Sequence, residues 1–409
     1  MIKFLFPHGG RATTKISELR MGLIGGLMSA TGPLSVTLLT PAFPVLIEVF
    51  STSSQIVTGS VTMFFVGFAT AHLICGTLSD GLGRRNVGVA FFSLYVLAGI
   101  VLFLVQSIEA LLWARLLQGV GASAGISIAR ALARDLFEGQ QSARVVNIMY
   151  IVIGTAPAIA PILGSVLLIF FGYRSLFALM ILHGLAIIAF LIFLIPNSVK
   201  VDMQRLRFRL LIRNFCNLLG SRDFMLSTLA ISGVSGALYG QAAIVPFLLM
   251  SELGLTPYEF GLIMLVHAGF HIAGSFSAKF WLGRFEASKL VPLAQTTIAV
   301  SAVWLFIAMM SIPPSTFNVI GPLSLAAFGA AHSYPTFITA GFRDFPQIAG
   351  AAASFVGFMQ MGTGFAVGLV ASLIGAPAVA LGLVVATSLL IASFSGILWF
   401  LPKSLFKET

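Results

Sequence analysis

Arg115 and Gln118 stand three residues apart in the run LLWARLLQGVGASAG, inside an apolar stretch from Ala110 to Ala133. On a helix that spacing sets both on one face. A guanidinium keeps its charge and offers five N–H donors in a planar fork, which suits carboxylates, phosphates and other oxygen-rich groups. Histidine is the second chemical resource. His267 and His271 are spaced i, i+4 and share a helix face, and His332 precedes Tyr334 and Pro335, where a proline break could open a helix toward a site. Imidazole titrates near about pH 6.5, so these rings can line a cavity with hydrogen bonds, carry a proton or hold a metal. The metal reading has no third ligand nearby in sequence. Thr37, Thr40, Tyr239, Gln241 and Gln360 complete the polar candidates on otherwise apolar segments.

The elements that must position these residues follow from composition. Of 409 residues, 58% are hydrophobic and 9% charged, where a soluble domain carries about 25% charge. Twelve apolar runs are each long enough to cross a bilayer: 21–47, 55–78, 87–106, 110–133, 144–171, 175–196, 223–250, 258–280, 289–311, 317–341, 348–374 and 378–401. The first is too long for a cleaved signal peptide and has no small-residue cleavage site. An all-α membrane protein is expected. Arg115 at membrane depth then costs roughly 2.5–3.5 kcal/mol. Either it snorkels to the headgroups from a helix end, or it faces a polar cavity. The shared face with Gln118 favours the cavity.

Charge sets the expected topology. All but two of the 23 Lys and Arg, the exceptions being Arg115 and Arg174, fall in the tails and in alternate loops, which places both termini in the cytoplasm. The net charge of +10 is then anchoring to anionic lipid, with no nucleic acid implied. The two cysteines, Cys75 and Cys216, give no disulfide framework. The 13 acidic residues all fall in tails, loops or helix ends. With no carboxylate at midplane and an arginine present, the cavity favours neutral or anionic cargo over cations.

Residues 200–222, KVDMQRLRFRLLIRNFCNLLGSR, form the one long polar interruption. Leu206, Leu210, Leu211, Phe215 and Leu218 make an apolar stripe beside Arg205, Arg209 and Arg213, as in a helix on the membrane surface; a flexible basic loop is the alternative. The linker separates an N-terminal bundle, 1–199, from a C-terminal bundle, 223–409, of six spans each. Gly83-Arg84 recurs as Gly283-Arg284 and Arg134-Asp135 as Arg343-Asp344, in corresponding loops. Repeated bundles of this kind support alternating access around a midplane site.

Four motifs carry a family resemblance. Gly76-Thr-Leu-Ser-Asp80-Gly-Leu-Gly83-Arg84-Arg85 resembles the signature loop of the major facilitator superfamily. Arg115-Leu-Leu-Gln118-Gly119-Val-Gly121 is similar to its fourth-helix motif. Ala129-Arg130-Ala-Leu-Ala-Arg134-Asp135-Leu-Phe resembles the end of that helix in exporters of the bicyclomycin/chloramphenicol-resistance type. Gly154-Thr-Ala-Pro157-Ala-Ile-Ala-Pro161-Ile-Leu-Gly164 looks like the fifth-helix motif of drug:proton antiporters. The resemblance implies twelve transmembrane helices in two six-helix bundles, a charge relay of Asp80, Arg84 and Asp135, and a part for Arg115 in substrate or proton coupling. It departs from the family at Thr37, where such exporters usually carry an aspartate, at Ala160 and Ser165 where glycines are usual, and at Gly283-Arg284, whose loop lacks the aspartate.

The expected function is secondary transport of a small organic molecule across a bacterial inner membrane by alternating access, with proton-coupled efflux, no cofactor, and the chain acting as a monomer. The rival use is uptake or release of an anionic metabolite or a metal chelate such as a siderophore. A metal-dependent membrane enzyme built on His267 and His271 needs acidic partners that the sequence does not supply. A structural or receptor protein gives no reason to keep Arg115 and the relay.

Overall fold

The computed structural model describes residues 16–401 except 138, 196–207, 283, 285–286 and 346–347, and among these it contains helices and no strand. The helices are α1 (Glu18–Thr37), α2 (Phe43–Val49), α3 (Ser54–Leu82), α4 (Arg84–Leu104), α5 (Ile108–Ala122), α6 (Ala124–Leu136), α7 (Gly139–Phe171), α8 (Arg174–Leu194), α9 (Phe208–Leu219), α10 (Arg222–Pro246), α11 (Pro257–Leu282), α12 (Ala287–Ser311), α13 (Thr316–Arg343), α14 (Ala349–Ile374), α15 (Pro377–Ala380) and α16 (Ala386–Phe400). Helix is what lipid demands, because the hydrocarbon offers no partner to backbone N–H and C=O groups. Serines start five of the spans: Ser17, Ser53, Ser107, Ser221 and Ser315 each accept from the backbone N–H three residues on, at 3.3, 3.5, 3.3, 3.4 and 3.2 Å. Between α3 and α4 the chain reverses on Gly83 alone, at φ 95°, a conformation that favours glycine.

Several spans are composite. α1 and α2 form the first, joined by a 3-10 turn at Thr40–Ala42; α5 and α6 form the fourth; α10 runs into a π-helix, Phe247–Glu252, as the seventh; α15, a π-turn at Leu381–Val385 and α16 form the twelfth. Ten of these units are long and apolar enough to cross a membrane, and α7, bent by 47° between Ala156 and Ile159 around Pro157, is an eleventh. α13, with 28 residues, completes the twelve by length. The chain is an all-α, multi-pass membrane protein.

One expectation is corrected. The fourth apolar stretch is a single span, Ile108–Leu136, locally loosened at Ser123, whose N–H bonds back to Gly119 and Val120 and whose carbonyl lies 2.9 Å from Nδ1 of His72. α13, which the sequence predicts to open at Pro335, runs unbroken through Pro322 and Pro335. Proline's fixed φ is already helical and each ring removes one ladder bond, so packing on both sides carries the helix through. The predicted surface helix is present as α9. Phe215, however, packs on Phe355 of α14 with ring centroids 5.7 Å apart, and Leu218 is buried with Phe224 and Val356. That part of the stripe faces the second bundle rather than lipid, because aromatic partners are within reach there. Leu206 lies outside the described residues.

Four apolar cores hold the bundles. On the terminal side, where α1 starts at Glu18 and α16 ends at Phe400, each half has its own: Met28, Cys75, Phe92 and Leu132 in the first, Phe224, Phe337 and Phe355 in the second. On the far side one cluster joins the halves, with Phe43, Phe64, Phe65 and Phe68 beside Tyr239, Phe247 and Met361. Phe43 and Phe247 stack there at 5.5 Å. The two halves therefore meet in this cluster.

Small residues set the helix spacing. A Cβ at Gly67 would run into the backbone of Leu116, one at Gly119 into that of Phe64, and one at Gly125 into that of Met28. α3 thus touches α5, and α6 touches α1, backbone to backbone. Gly119→Val is expected to destabilise the protein by about 1–3 kcal/mol or more through overpacking. Gly269→Val, at a position with nothing within 4 Å of an added Cβ, serves as the neutral control. Thermal unfolding in detergent reads both; equal midpoints for the two variants would contradict this packing account.

Candidate functional site

Arg115 has no exposed surface, so it does not snorkel. Its Nη1 donates to Gln118 Oε1 at 2.6 Å, and Gln118 Nε2 reaches Met180 Sδ at 3.4 Å. The guanidinium carbon sits 4.6 Å from the centre of the Phe64 ring. Nε and Nη2 of Arg115 have no hydrogen-bond partner. A buried donor left unmade costs about 1–3 kcal/mol, more on a charged group. No carboxylate pairs with Arg115 among the described residues. The side chain therefore holds a positive charge, two unpartnered donor nitrogens and an aromatic floor. Nearby, Tyr95 donates to Ser35 Oγ at 2.7 Å while Ser35 donates to the Thr31 carbonyl at 2.6 Å.

A second polar group lies in the other half. His267 bridges three helices, with Nε2 3.1 Å from Gln241 Nε2 on α10 and Nδ1 3.2 Å from Ser324 Oγ on α13. Gln360 Nε2 donates to Ser235 Oγ at 3.0 Å and also to the Tyr334 hydroxyl. His332 gives Nδ1–H to the Phe328 carbonyl at 2.9 Å and meets Ser277 Oγ at 3.1 Å through Nε2. His271 reaches the Ala327 carbonyl at 3.2 Å. The Tyr239 ring lies tilted against Phe65 of the first half, with centroids 4.8 Å apart, in the cluster that joins the halves.

The other predicted cavity residues separate from these. Thr37 Oγ1 donates to the Pro33 carbonyl at 3.0 Å and Thr40 Oγ1 to the Thr37 carbonyl at 2.8 Å, so both hydroxyls serve their own helix. No hydrogen bond joins the Arg115–Gln118 pair to the His267 chain among the described residues. No cluster of three or more metal-type ligands occurs among them either, so His267 and His271 remain hydrogen-bonding rings without further metal ligands.

The relay residues assemble where the terminal-side loops meet. Arg84 pairs with Asp80, with Asp135 through Nε at 3.2 Å, and with Ser79 Oγ at 2.7 Å, tying α3, α4 and α6. Arg85 reaches the Ile195 carbonyl at 3.5 Å, and Arg134 is exposed. Asp80 and Asp135 are 40% and 51% exposed, so each pair contributes about 0–1 kcal/mol to stability. Gly76, on the same helix, leaves room for Ser354 of α14: an added Cβ would lie 2.9 Å from Ser354 Oγ. In the second half Arg284 lies 4.1 Å over the Phe280 ring, an aromatic partner where the aspartate is missing; Gly283 lies outside the described residues. On α7, Gly164 accommodates the Leu38 carbonyl and Pro41, Pro161 is buried with its carbonyl accepting from Ser165, and Gly154 faces His271. The side chain of Pro157 lies outside those described.

Sequence reasoning missed His72 as a site residue, and it missed the bidentate pair in which Arg144 meets Glu18 at 2.8 and 2.9 Å. Both depend on partners far away in the chain, and neither has a local spacing signal.

Residues 25–369 match the model of the Major Facilitator Superfamily. The chain belongs to the major facilitator superfamily. This superfamily member is a transporter and not an enzyme. It is 28% identical over 324 residues to the uncharacterized MFS-type transporter YdgK of Bacillus subtilis, covering 74% of this chain and 76% of that one. It is 26% identical over 356 residues to a bicyclomycin resistance protein homolog of Haemophilus influenzae, covering 85% and 88%. With the multidrug resistance protein MdtL of a Shewanella species it shares 27% over 307 residues, covering 74% and 76%. The fold superposes on a D-xylose–proton symporter with a TM-score of 0.70 at 13% identity, over 95% of this chain and 99% of that one.

Proposed function

We propose that this transporter exports a small neutral or anionic organic molecule across the bacterial inner membrane, coupled to proton entry, with both termini cytoplasmic. The observation that carries the reading is Arg115: sealed in the first bundle, charged, with two donors unspent. A cargo oxygen or anionic group satisfies donors that the protein leaves open. Relatives named for multidrug and bicyclomycin resistance support export. Residues 1–199 and 223–409 act as the two rocking bundles and 200–222 as the cytoplasmic linker between them. Gln118 orients Arg115. Gln241, His267, His271, His332, Gln360 and Tyr239 supply the facing half of the cavity and the groups through which protons couple. One copy supplies both halves, so the monomer is the working unit.

The test is cargo-dependent pH change in proteoliposomes, screened with neutral, anionic and cationic compounds. Proton movement driven by cations alone would overturn the charge selectivity. The rival, uptake or release of an anionic metabolite or metal chelate, rests on the absence of a mid-span carboxylate; flux direction in inverted vesicles against intact cells separates the two. Topology has its own check. Single cysteines at Glu252 and Ser315 should label from outside the cell with an impermeant reagent, and labelling only from the inside refutes the orientation.

A further inference from the structure

Two histidines occupy matching places in the two halves. His72 is on α3, the second span, and His271 on α11, the eighth. Nδ1 of His72 lies 2.9 Å from the Ser123 carbonyl in the fourth span, and Nδ1 of His271 lies 3.2 Å from the Ala327 carbonyl in the tenth. A carbonyl only accepts, so in each ring Nδ1 carries the proton and Nε2 is the bare, basic nitrogen. Each Nε2 points across the boundary between the halves at a glycine. A Cβ on Gly357 of α14, the eleventh span, would overlap His72 Nε2; one on Gly154 of α7, the fifth, would stand 3.8 Å from His271 Nε2. Neither Nε2 has a hydrogen-bond partner among the described residues.

We propose that His72 and His271 are paired proton-binding sites, one in each seam between the bundles, and that a proton on Nε2 parts the seam it occupies. This deepens the proton coupling proposed above and rests on it. In a closed seam a proton on Nε2 puts a cation against a glycine backbone with no acceptor, which is costly, most of all at His72, which is buried where His271 is partly exposed. In a parted seam, water hydrates the imidazolium. Protonation therefore favours the parted state, and closure expels the proton.

The surroundings supply no competing carboxylate. Around His72 stand the Ser127 hydroxyl, 3.4 Å from Nδ1, and the Phe68 ring, stacked at 5.4 Å. Arg130 on α6 is the charged group that acts on it through space, and α14 has no ionisable residue. Around His271 the neighbouring ionisable group is His267, one turn earlier on α11. On α13, His332 is held by Ser277 and the Phe328 carbonyl, and on α7 Arg144 is paired with Glu18 at the terminal-side end. The side chain of Tyr150 on α7 lies outside those described. The glycines opposite the rings are what let each Nε2 sit in the seam.

The experiment uses full-length protein in lipid nanodiscs, with spin-label pairs across each seam and protons as the only added ligand. His72→Asn and His271→Asn keep an amide N–H where Nδ1 donates and remove Nε2. In the wild type both seam distances should widen on acidification between about pH 8 and pH 5, the range over which imidazole charges. Each single variant should lose the widening in its own seam, and the double variant should lose both. His72→Gln and His271→Gln carry the same expectation should an Asn variant fail to fold. Wild-type seams that ignore pH, or a double variant that widens like the wild type, overturn the proposal. Because no cargo is present, the outcome is independent of the vesicle assay. Seams that respond through these histidines, with no cargo-driven pH change in vesicles, would keep the sites and refute the coupling.

Discussion

Arg115→Ala is expected to abolish transport of the cargo while leaving the protein folded in the membrane. Truncating one partner of a buried charged contact costs about 2–5 kcal/mol, and about 3 kcal/mol is already roughly a hundredfold in affinity. Arg115→Lys should restore only part of the activity, because a single ammonium cannot reproduce a planar fork. Stability separates function from structure here. Arg115 has Gln118 and the Phe64 face as partners but no counter-charge. Replacing such a buried charge by an apolar side chain of similar length is commonly neutral or stabilising. Arg115→Met should therefore hold or raise the thermal midpoint in detergent and still be inactive. An Arg115→Met protein that unfolds early but transports its cargo would turn Arg115 into a structural residue. Permanently cationic dyes should be poor cargo for the wild type, since the inventory of carboxylates offers them no partner inside the bilayer.

The residues that were legible in the sequence are those whose partners lie within a turn. Arg115 and Gln118 share a face at i, i+3, and the structure joins them at 2.6 Å. Asp80 and Arg84 are spaced i, i+4 and pair across Gly83. The span layout was legible because twelve apolar runs against a lipid solvent leave helix as the one satisfied backbone. What the sequence could not reveal depends on distant chain. The contact between His72 Nδ1 and the Ser123 carbonyl joins two helices that are 51 residues apart in the chain. The Gln241–His267–Ser324 chain joins three helices, and the His267–His271 spacing alone left hydrogen bonding, proton carriage and a metal as readings. Thr37 and Thr40 read as cavity residues by polarity, and each hydroxyl donates to its own backbone, a partner that needs no distant chain.

Asp80→Asn is expected to slow transport about tenfold, with unchanged protein abundance and a shifted balance between access states. The ion pairs of Arg84 are too exposed to matter much for folding, so their effect must lie in which state they favour. In the present state Arg84 gathers Asp80, Asp135 and Ser79, which fixes the terminal-side end of α3 against α4 and α6. That same end of α3 meets α14 at Gly76 and Ser354. Removing the carboxylate loosens α3 where the two halves touch. A bias of about 1.4 kcal/mol in either direction changes the ratio of states tenfold, and a rocking cycle limited by its rarer state slows accordingly. Conformation can be read directly. With Cys75 and Cys216 replaced, Gly76→Cys and Ser354→Cys place two thiols close enough to oxidise to a disulfide in this state. Crosslinking should form readily in the wild-type background and change in yield with Asp80→Asn, whereas Asp80→Glu should restore both yield and transport. Normal transport by Asp80→Asn with the same crosslinking yield would reduce Asp80 and Arg84 to membrane anchoring, which is the role that positive residues at this face have without a relay.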